Sequence, residues 1–456
     1  MDKEDIVDVD GLRALGGGVL VKRGRFGRPI VKDSYCDFSQ ADDSFEFLRT
    51  INENRLDIRS GVVPGKASYF ILVPTLRCNI SCAYCQVSRV NEAAKGYDWN
   101  DGLVEDVVKF ITKYGSTHVT LEFQGGEPLL RLDLIREITE KLSGLGRTLR
   151  VVICTNLQNV SREALDFMAN DNVQVSTSFD GTWDSHKEYR LPKSGDLEKF
   201  KINLINVIKT LGHERVSLTS TFDPLRPPDP PKVFAAMQDL GVSMMFIRPI
   251  NYQGFARKSF KSSQNDQTWD EYYQSFIQSL IQFNINNRRN LSEYYFSYLV
   301  RRVLDPRRSE HVDLRNPALL AKDYYVINEV GDVFPTDEAR MLYRSGQIDL
   351  RVGHVSHGLN EEFIKDLNEC SDNRDDPDCC RCVYQSVCGR DIIDDISRYG
   401  RIDTPRLTTR HCQKHMAIFD FIMRTLATSS EHELDVLSKM VGLEKIDPAS
   451  FRKKNV

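Results

Sequence analysis

The chain lacks any apolar run near the roughly 20 residues that a membrane-spanning helix needs. Its first residues, Met1-Asp2-Lys3-Glu4-Asp5, are acidic and lack the basic–apolar pattern of a secretion signal. A basic surplus is missing as well. The 61 Lys and Arg are outnumbered by 65 Asp and Glu, a net charge of −4, which argues against sequence-independent nucleic-acid binding. There are no internal repeats and no low-complexity tracts. Together these absences point to a cytoplasmic protein with neither a membrane nor a nucleic acid as partner. In that compartment 11 cysteines are more readily metal ligands than disulfides.

With 456 residues, 41% hydrophobic and 28% charged, the chain has material for two or three domains and a large core. From Ser68 to about Pro249 strand-like and helical runs alternate. The strands read as Phe70–Val73, Val119–Phe123, Leu149–Cys154, Val173–Ser178, Val216–Thr221 and Met244–Ile247. Helical periods between them imply parallel pairing through right-handed crossovers. The expected fold class is α/β, a partial (β/α)6 TIM-type barrel with reactive residues at the strand C-terminal ends. Around it we expect a small N-terminal unit (1–66), a helical extension (251–322), a cysteine-rich domain (323–425) and a C-terminal helix and tail (426–456). The N-terminal unit reads either as packing for the barrel or as a grip on a peptide leader.

Three cysteines, Cys78, Cys82 and Cys85, follow the first strand as C-x3-C-x2-C. Zinc and fully protein-ligated iron–sulfur clusters usually take four protein ligands. Three thiolates with no nearby fourth point to a four-iron cluster with one iron open to a small molecule. The second strand ends in Gln124-Gly125-Gly126-Glu127-Pro128. Glycines let backbone approach a ligand, and the Glu127 carboxylate suits a protonated amine. Further on, Cys379, Cys382 and Cys388 form C-x2-C-x5-C, followed by Cys412. Four thiolates can close a second four-iron cluster, with zinc as the rival. Cys370 and Cys380 are spare thiols; Cys36 and Cys154 read as small buried residues.

The first cysteine motif, with Tyr84 before its last cysteine, resembles the radical S-adenosylmethionine (SAM) superfamily. That resemblance implies a 4Fe-4S cluster on Cys78, Cys82 and Cys85, with SAM chelating the open iron. Reductive cleavage of SAM would give a 5′-deoxyadenosyl radical that takes hydrogen from the substrate. The resemblance places SAM against Gln124, Gly125, Gly126 and Glu127, against Thr155 and Asn156, and against Ser178 and Asp180. Arg190 would pair with its carboxylate, His186 belongs to the same stretch, and Ile247 would flank the adenine. Leu157 stands where relatives often carry glycine.

The C-terminal cysteines resemble the SPASM domain of peptide-modifying members, with one auxiliary 4Fe-4S cluster on Cys379, Cys382, Cys388 and Cys412. Thr336 and Ile392 replace two cysteines of the fuller pattern, which implies that the other auxiliary cluster is absent. Asp337 falls where some relatives place a general base. Thr75–Arg89, Glu122–Leu130 and Pro335–Arg340 are similar to the B-type maturases of His-Xaa-Ser systems. The implied partners are a precursor peptide, a second radical SAM maturase, and a reductase, flavodoxin or ferredoxin as electron donor. The implied chemistry is oxidative side-chain cross-linking of the cyclophane type. Competing readings are a sulfatase-type maturase forming formylglycine and a non-enzymatic iron–sulfur electron-transfer or sensor protein.

Overall fold

The computed structural model describes residues 66–448, except 194, 252, 260–265, 306–318 and 375, together with four short N-terminal strands. Contacts divide the chain into two compact units. One comprises Pro64–Trp269 and Leu319–Leu367; the other comprises Met1–Val63, Asp270–Ala318 and Asn368–Val456.

The first of these units is built on six parallel strands: β1 (Ala67–Thr75), β2 (Gly115–Gly125), β3 (Thr148–Thr155), β4 (Val173–Ser178), β5 (Val216–Phe222) and β6 (Met244–Pro249). They are paired in sequence order, each parallel to the next. Phe70 to Val73 of β1 are at most 1% exposed, as expected of a parallel strand covered on both faces. Helices fill the crossovers: α1 (Asp101–Tyr114), α2 (Leu132–Gly144), α3 (Arg162–Met168), α4 (Trp183–Arg190), α5 (Leu197–Leu211) and α6 (Pro230–Leu240). In α1 the Asn100 side chain caps the Leu103 N–H, and Val104, Val107, Val108 and Ile111 turn one apolar face inward. Each such side chain contributes about 1.5–3 kcal/mol on full burial. The proline-rich loop after β5 leads into α6, which begins at Pro230, where a missing N–H costs nothing.

The sheet continues past β1. β7 (Tyr324–Ile327) lies parallel to β1, Tyr324 opposite Tyr69, and β8 (Asp332–Phe334) pairs antiparallel to β7. The hairpin read at Gly331-Asp332 is therefore an extension of the barrel sheet on the open side of β1. It brings the helix Asp337–Arg344 into the barrel's own unit.

In the other unit, the strands Asp8–Val9, Leu12–Ala14, Val19–Arg23 and Pro29–Asp33 form an antiparallel sheet. The helical patch read near Phe45 and the residue Cys36 lie outside the described residues. The cysteine-rich segment is framed by helices Ile392–Tyr399 and Arg410–Thr428. The last helix, Glu431–Met440, begins with the capping box read at Ser430 and Glu433. Among the described residues no helix is long and apolar enough to cross a membrane.

Candidate active site

Every motif of the barrel unit falls at a strand C-terminal end. Just past β1, Arg77–Cys78 pairs with Val90–Asn91 and shapes the loop that carries Cys78, Cys82 and Cys85. The loop is fastened from the far side of the barrel, where the Ala83 N–H donates to the Tyr189 carbonyl at 2.7 Å. Cys78 is buried, and Cys82 and Cys85 are half-buried. Burial pushes the Cys78 and Cys82 thiols up to about 12, Glu127 adding to it at Cys78 and Arg190 opposing it at Cys82; burial also raises Cys85. Three clustered thiols that repel one another as thiolates suit a cationic centre, which would hold them deprotonated. The Asn79 amide nitrogen is also buried without a partner in this loop. The donor set and this orphaned group fit an iron–sulfur cluster ligated by Cys78, Cys82 and Cys85.

The Gly-Gly-Glu element is locked onto the loop. Gly126 N–H donates to Thr75 O at 3.0 Å and Glu127 N–H to Arg77 O at 2.8 Å. A Cβ on Gly125 would stand 2.2 Å from Thr75 O, and one on Gly126 would stand 2.1 Å from Arg77 O. The space that these glycines leave is thus taken by the backbone from Thr75 to Arg77. Glu127 is 2% exposed. It accepts from Thr155 Oγ1 and Asn156 N–H, both at 2.8 Å, and from Leu129 N–H at 3.1 Å. Burial outweighs these donors and pushes its pKa up to about 7. Glu127 therefore ties the end of β2 to the end of β3. Asn156 continues the link, its amide reaching Asn79 Oδ1 at 2.8 Å and Cys78 Sγ at 3.8 Å.

Leu157 adopts a left-handed φ of 53° and is fully buried. The backbone there keeps the conformation that glycine adopts freely, at the cost of strain. The Thr155 hydroxyl and the Asn203 amide hold its N–H and carbonyl.

At the end of β4, Asp180 is 1% exposed and gathers three donors: the Tyr84 hydroxyl, Arg190 Nε at 3.0 Å and Thr221 N–H at 3.1 Å. The Arg190 guanidinium also lies 5.3 Å from the Tyr84 ring centroid. Arg190 is thus committed to Asp180 through Nε, and this buried pair sits beside Cys82. Ser178 is half-buried at the same strand end, and Ile247 is buried at the end of β6. His186 does not join this network. It is stacked on Phe200 with centroids 4.1 Å apart, and burial pulls its pKa well down, so it packs as a neutral aromatic.

Cys154 was read as a small buried hydrophobe, and the structure corrects this. Its thiol donates to Glu122 Oε1 at 3.3 Å, and Glu122 also accepts from the Tyr69 hydroxyl and the Gln124 amide. Gln124 therefore reaches Glu122 within the barrel. The reading missed Glu122, although alternation along β2 puts it on the same face as Gln124. Burial, then the charge of Glu122 and, least, that of Asp337 raise the Cys154 thiol well above its usual value. Asp337 is buried at the start of its helix, and Arg340 approaches its Oδ1 through Nε and Nη2, both at 2.8 Å.

In the other unit, Cys379, Cys382, Cys388 and Cys412 line one cavity of about 370 Å³. Asn373 holds the last turn of the knuckle by donating to the Gln385 and Cys388 carbonyls at 3.1 and 3.0 Å. Thr409 caps the helix carrying Cys412, accepting from its N–H at 3.3 Å. The Cys380 thiol instead donates to the Pro377 carbonyl, so Cys379 is the member of that pair lining the cavity. Thr336 caps its own helix and Ile392 is a buried apolar residue; neither position offers a thiolate.

Residues 72–224 match the model of the Radical SAM superfamily. That match spans the loop of Cys78, Cys82 and Cys85 and the Gly125-Gly126-Glu127 element. A cysteine-type anaerobic sulfatase-maturating enzyme of Clostridium novyi (strain NT) is 24% identical over 339 residues, 70% of this chain and 86% of that protein. The solved structure of native anSMEcpe with bound AdoMet covers 82% of this chain and 100% of its own, with TM-score 0.63 and 15% identity. Streptococcus suis SuiB bound to precursor peptide SuiA covers 80% of this chain and 81% of its own, with TM-score 0.53 and 12% identity. These likenesses agree on a radical SAM α/β fold with a cysteine-rich C-terminal region.

Proposed function

We propose that this radical SAM enzyme modifies a ribosomally made precursor peptide by abstracting hydrogen from an unactivated carbon. The observation that carries this is the clamp of Gly125-Gly126-Glu127 onto the loop of Cys78, Cys82 and Cys85, at the open end of the parallel strands. When bound, the cluster with SAM supplies a 5′-deoxyadenosyl radical, and an auxiliary 4Fe-4S cluster on Cys379, Cys382, Cys388 and Cys412 supplies an electron acceptor.

The protein's own groups do the rest. Gln124, Gly125, Gly126, Glu127, Thr155, Asn156, Ser178, Asp180, Arg190 and Ile247 line the strand ends where SAM would bind. The Arg190–Asp180–Tyr84 network keeps a buried positive charge beside Cys82. Asp337, held by Arg340, has its second oxygen for the proton that leaves when the substrate radical gives up an electron and closes a bond. Loss of a hydrogen atom, a proton and an electron amounts to a two-electron oxidation. That balance fits side-chain cross-linking of the cyclophane type, as in His-Xaa-Ser maturation, with a flavodoxin, ferredoxin or reductase as donor and a second maturase as partner.

Formylglycine formation is the second reading, favoured by the sulfatase-maturating relative. The test is anaerobic reconstitution with SAM, a reductant and candidate peptides. Cleavage to 5′-deoxyadenosine with a peptide that loses two hydrogens and resists sequencing across the link supports cross-linking. A hydrazide-reactive aldehyde supports formylglycine. Reduced, iron-loaded protein that leaves SAM intact would exclude both.

A further inference from the structure

Asn79 follows the first cysteine of its loop, and both ends of its amide can be assigned from the hydrogen bonds around it. The Gln158 N–H donates to Asn156 Oδ1 at 2.9 Å, so the nitrogen of the Asn156 amide is the end turned toward the loop. That nitrogen donates to Asn79 Oδ1 at 2.8 Å and comes within 3.8 Å of Cys78 Sγ. Were the Asn79 amide turned over, two NH2 groups would face each other at hydrogen-bond distance. Its oxygen is therefore fixed on Asn156, and its Nδ2 faces away.

That Nδ2 is buried and has no hydrogen-bond partner in the protein. Burying an amide nitrogen with both donors unmet is costly, and an acceptor brought to this loop removes the cost. Thiolates and bridging sulfides are acceptors, and a cluster on Cys78, Cys82 and Cys85 would bring both. The direction of the donor is set from outside the loop. The Asn156 N–H donates to Glu127 Oε2 at 2.8 Å, so the Gly-Gly-Glu element holds Asn156, and Asn156 holds Asn79.

We propose that Asn79, through Nδ2, donates a hydrogen bond to a sulfur of the cluster held by Cys78, Cys82 and Cys85, with Asn156 as the residue that positions it. This rests on the reading that these three cysteines hold iron. The positive end of an N–H dipole at a cluster sulfur stabilises the reduced state more than the oxidised one, which raises the reduction potential. Asn79 thus makes the centre easier to reduce without occupying the iron left open.

The test uses the full chain carrying Cys379→Ala with Cys382→Ala, so that only the first centre contributes a signal. Iron content is measured first. Pulsed electron paramagnetic resonance on the reduced, SAM-free centre then compares unlabelled protein with protein whose asparagine side-chain amides carry nitrogen-15. The expected result is about four irons with a weak nitrogen coupling that changes with the label. Asn79→Asp keeps an oxygen for the Asn156 amide but has no nitrogen to give. It should lose the Asn79 coupling and keep only what Asn156 contributes from 3.8 Å. Asn79→Leu, which removes the donor without adding charge, should shift the midpoint potential downward. About four irons with no labelled coupling, a coupling unchanged in Asn79→Asp, or an unmoved midpoint in Asn79→Leu overturns the donor role while leaving the cluster reading intact. A folded chain that takes up no iron overturns both. The coupling in Asn79→Asp decides the matter even if Asn79→Leu fails to fold.

Discussion

Cys78, Cys82 and Cys85 sit among charges, with Glu127 beside one thiol and the Arg190–Asp180 pair beside another. The cavity of Cys379, Cys382, Cys388 and Cys412 carries charge too, from Asp378, Arg381 and Arg406, but adds two histidines, a methionine and a phenylalanine to its wall. On the proposed function, the first loop, at the open end of a parallel sheet, would leave one coordination position for a small molecule. The second set would close its own centre. A site that must bind and cleave a cofactor needs fixed charge and an open position. One that only passes electrons needs enclosure and tuning.

The largest expected effect separates the two sites outright. Cys78/Cys82/Cys85→Ala should abolish 5′-deoxyadenosine formation and lower iron from about eight to about four per chain. Iron falling to none, with zinc present, would break the comparison. The reciprocal variant, Cys379→Ala with Cys382→Ala, should lose the other four irons, keep uncoupled SAM cleavage and make no oxidised peptide. Oxidised peptide from that variant would show that the electron has another acceptor.

Asp337→Asn sharpens the assignment of the proton acceptor. It should slow product formation by about 10²–10⁴-fold while SAM cleavage continues. An unchanged product rate would leave Asp337 as the partner of Arg340 and nothing more.

Charge near the first loop also predicts a pH dependence. Glu127 moves from 4.5 to about 7 on burial, so the folded chain binds this proton more tightly than the unfolded chain. The stability it contributes is fully present below pH 4.5 and is lost as pH rises through 7, on the order of 3 kcal/mol. In iron-free protein, Glu127→Gln should flatten unfolding free energy across that window. A slope matching wild type would contradict the assignment.

The smallest effect concerns Leu157. Glycine there would relieve roughly 1–2 kcal/mol of left-handed strain but forfeit about 2–3 kcal/mol of burial, a net loss of about 1 kcal/mol in chemical unfolding. A stabilised Leu157→Gly variant would mean that strain outweighs packing at this position.

Much of the candidate site was legible because its signals are local. The spacing of Cys78, Cys82 and Cys85 and the apolar run before them lie within one short stretch. The alternation of strand and helix from Ser68 to Pro249 requires the parallel order that puts Gly125, Thr155 and Ser178 at one end. Cys154 was misread because a lone cysteine says nothing about its neighbour across the sheet. His186 was ambiguous because its stacking partner, Phe200, lies on another helix.

The sequence by itself determined which residues could carry the chemistry and at which strand ends they would stand, since ligand spacing and strand periodicity are properties of a few consecutive residues. Only the tertiary structure decided what each one touches. It set Gly126 against Arg77, Glu127 on Thr155, and Asp180 between Tyr84 and Arg190. It also left the Asn79 Nδ2 bare in the first cysteine loop. Those contacts join residues far apart along the chain or brought face to face by a turn. Burial makes each unpaired polar atom costly enough to demand a partner, and only the fold decides which partner is within reach.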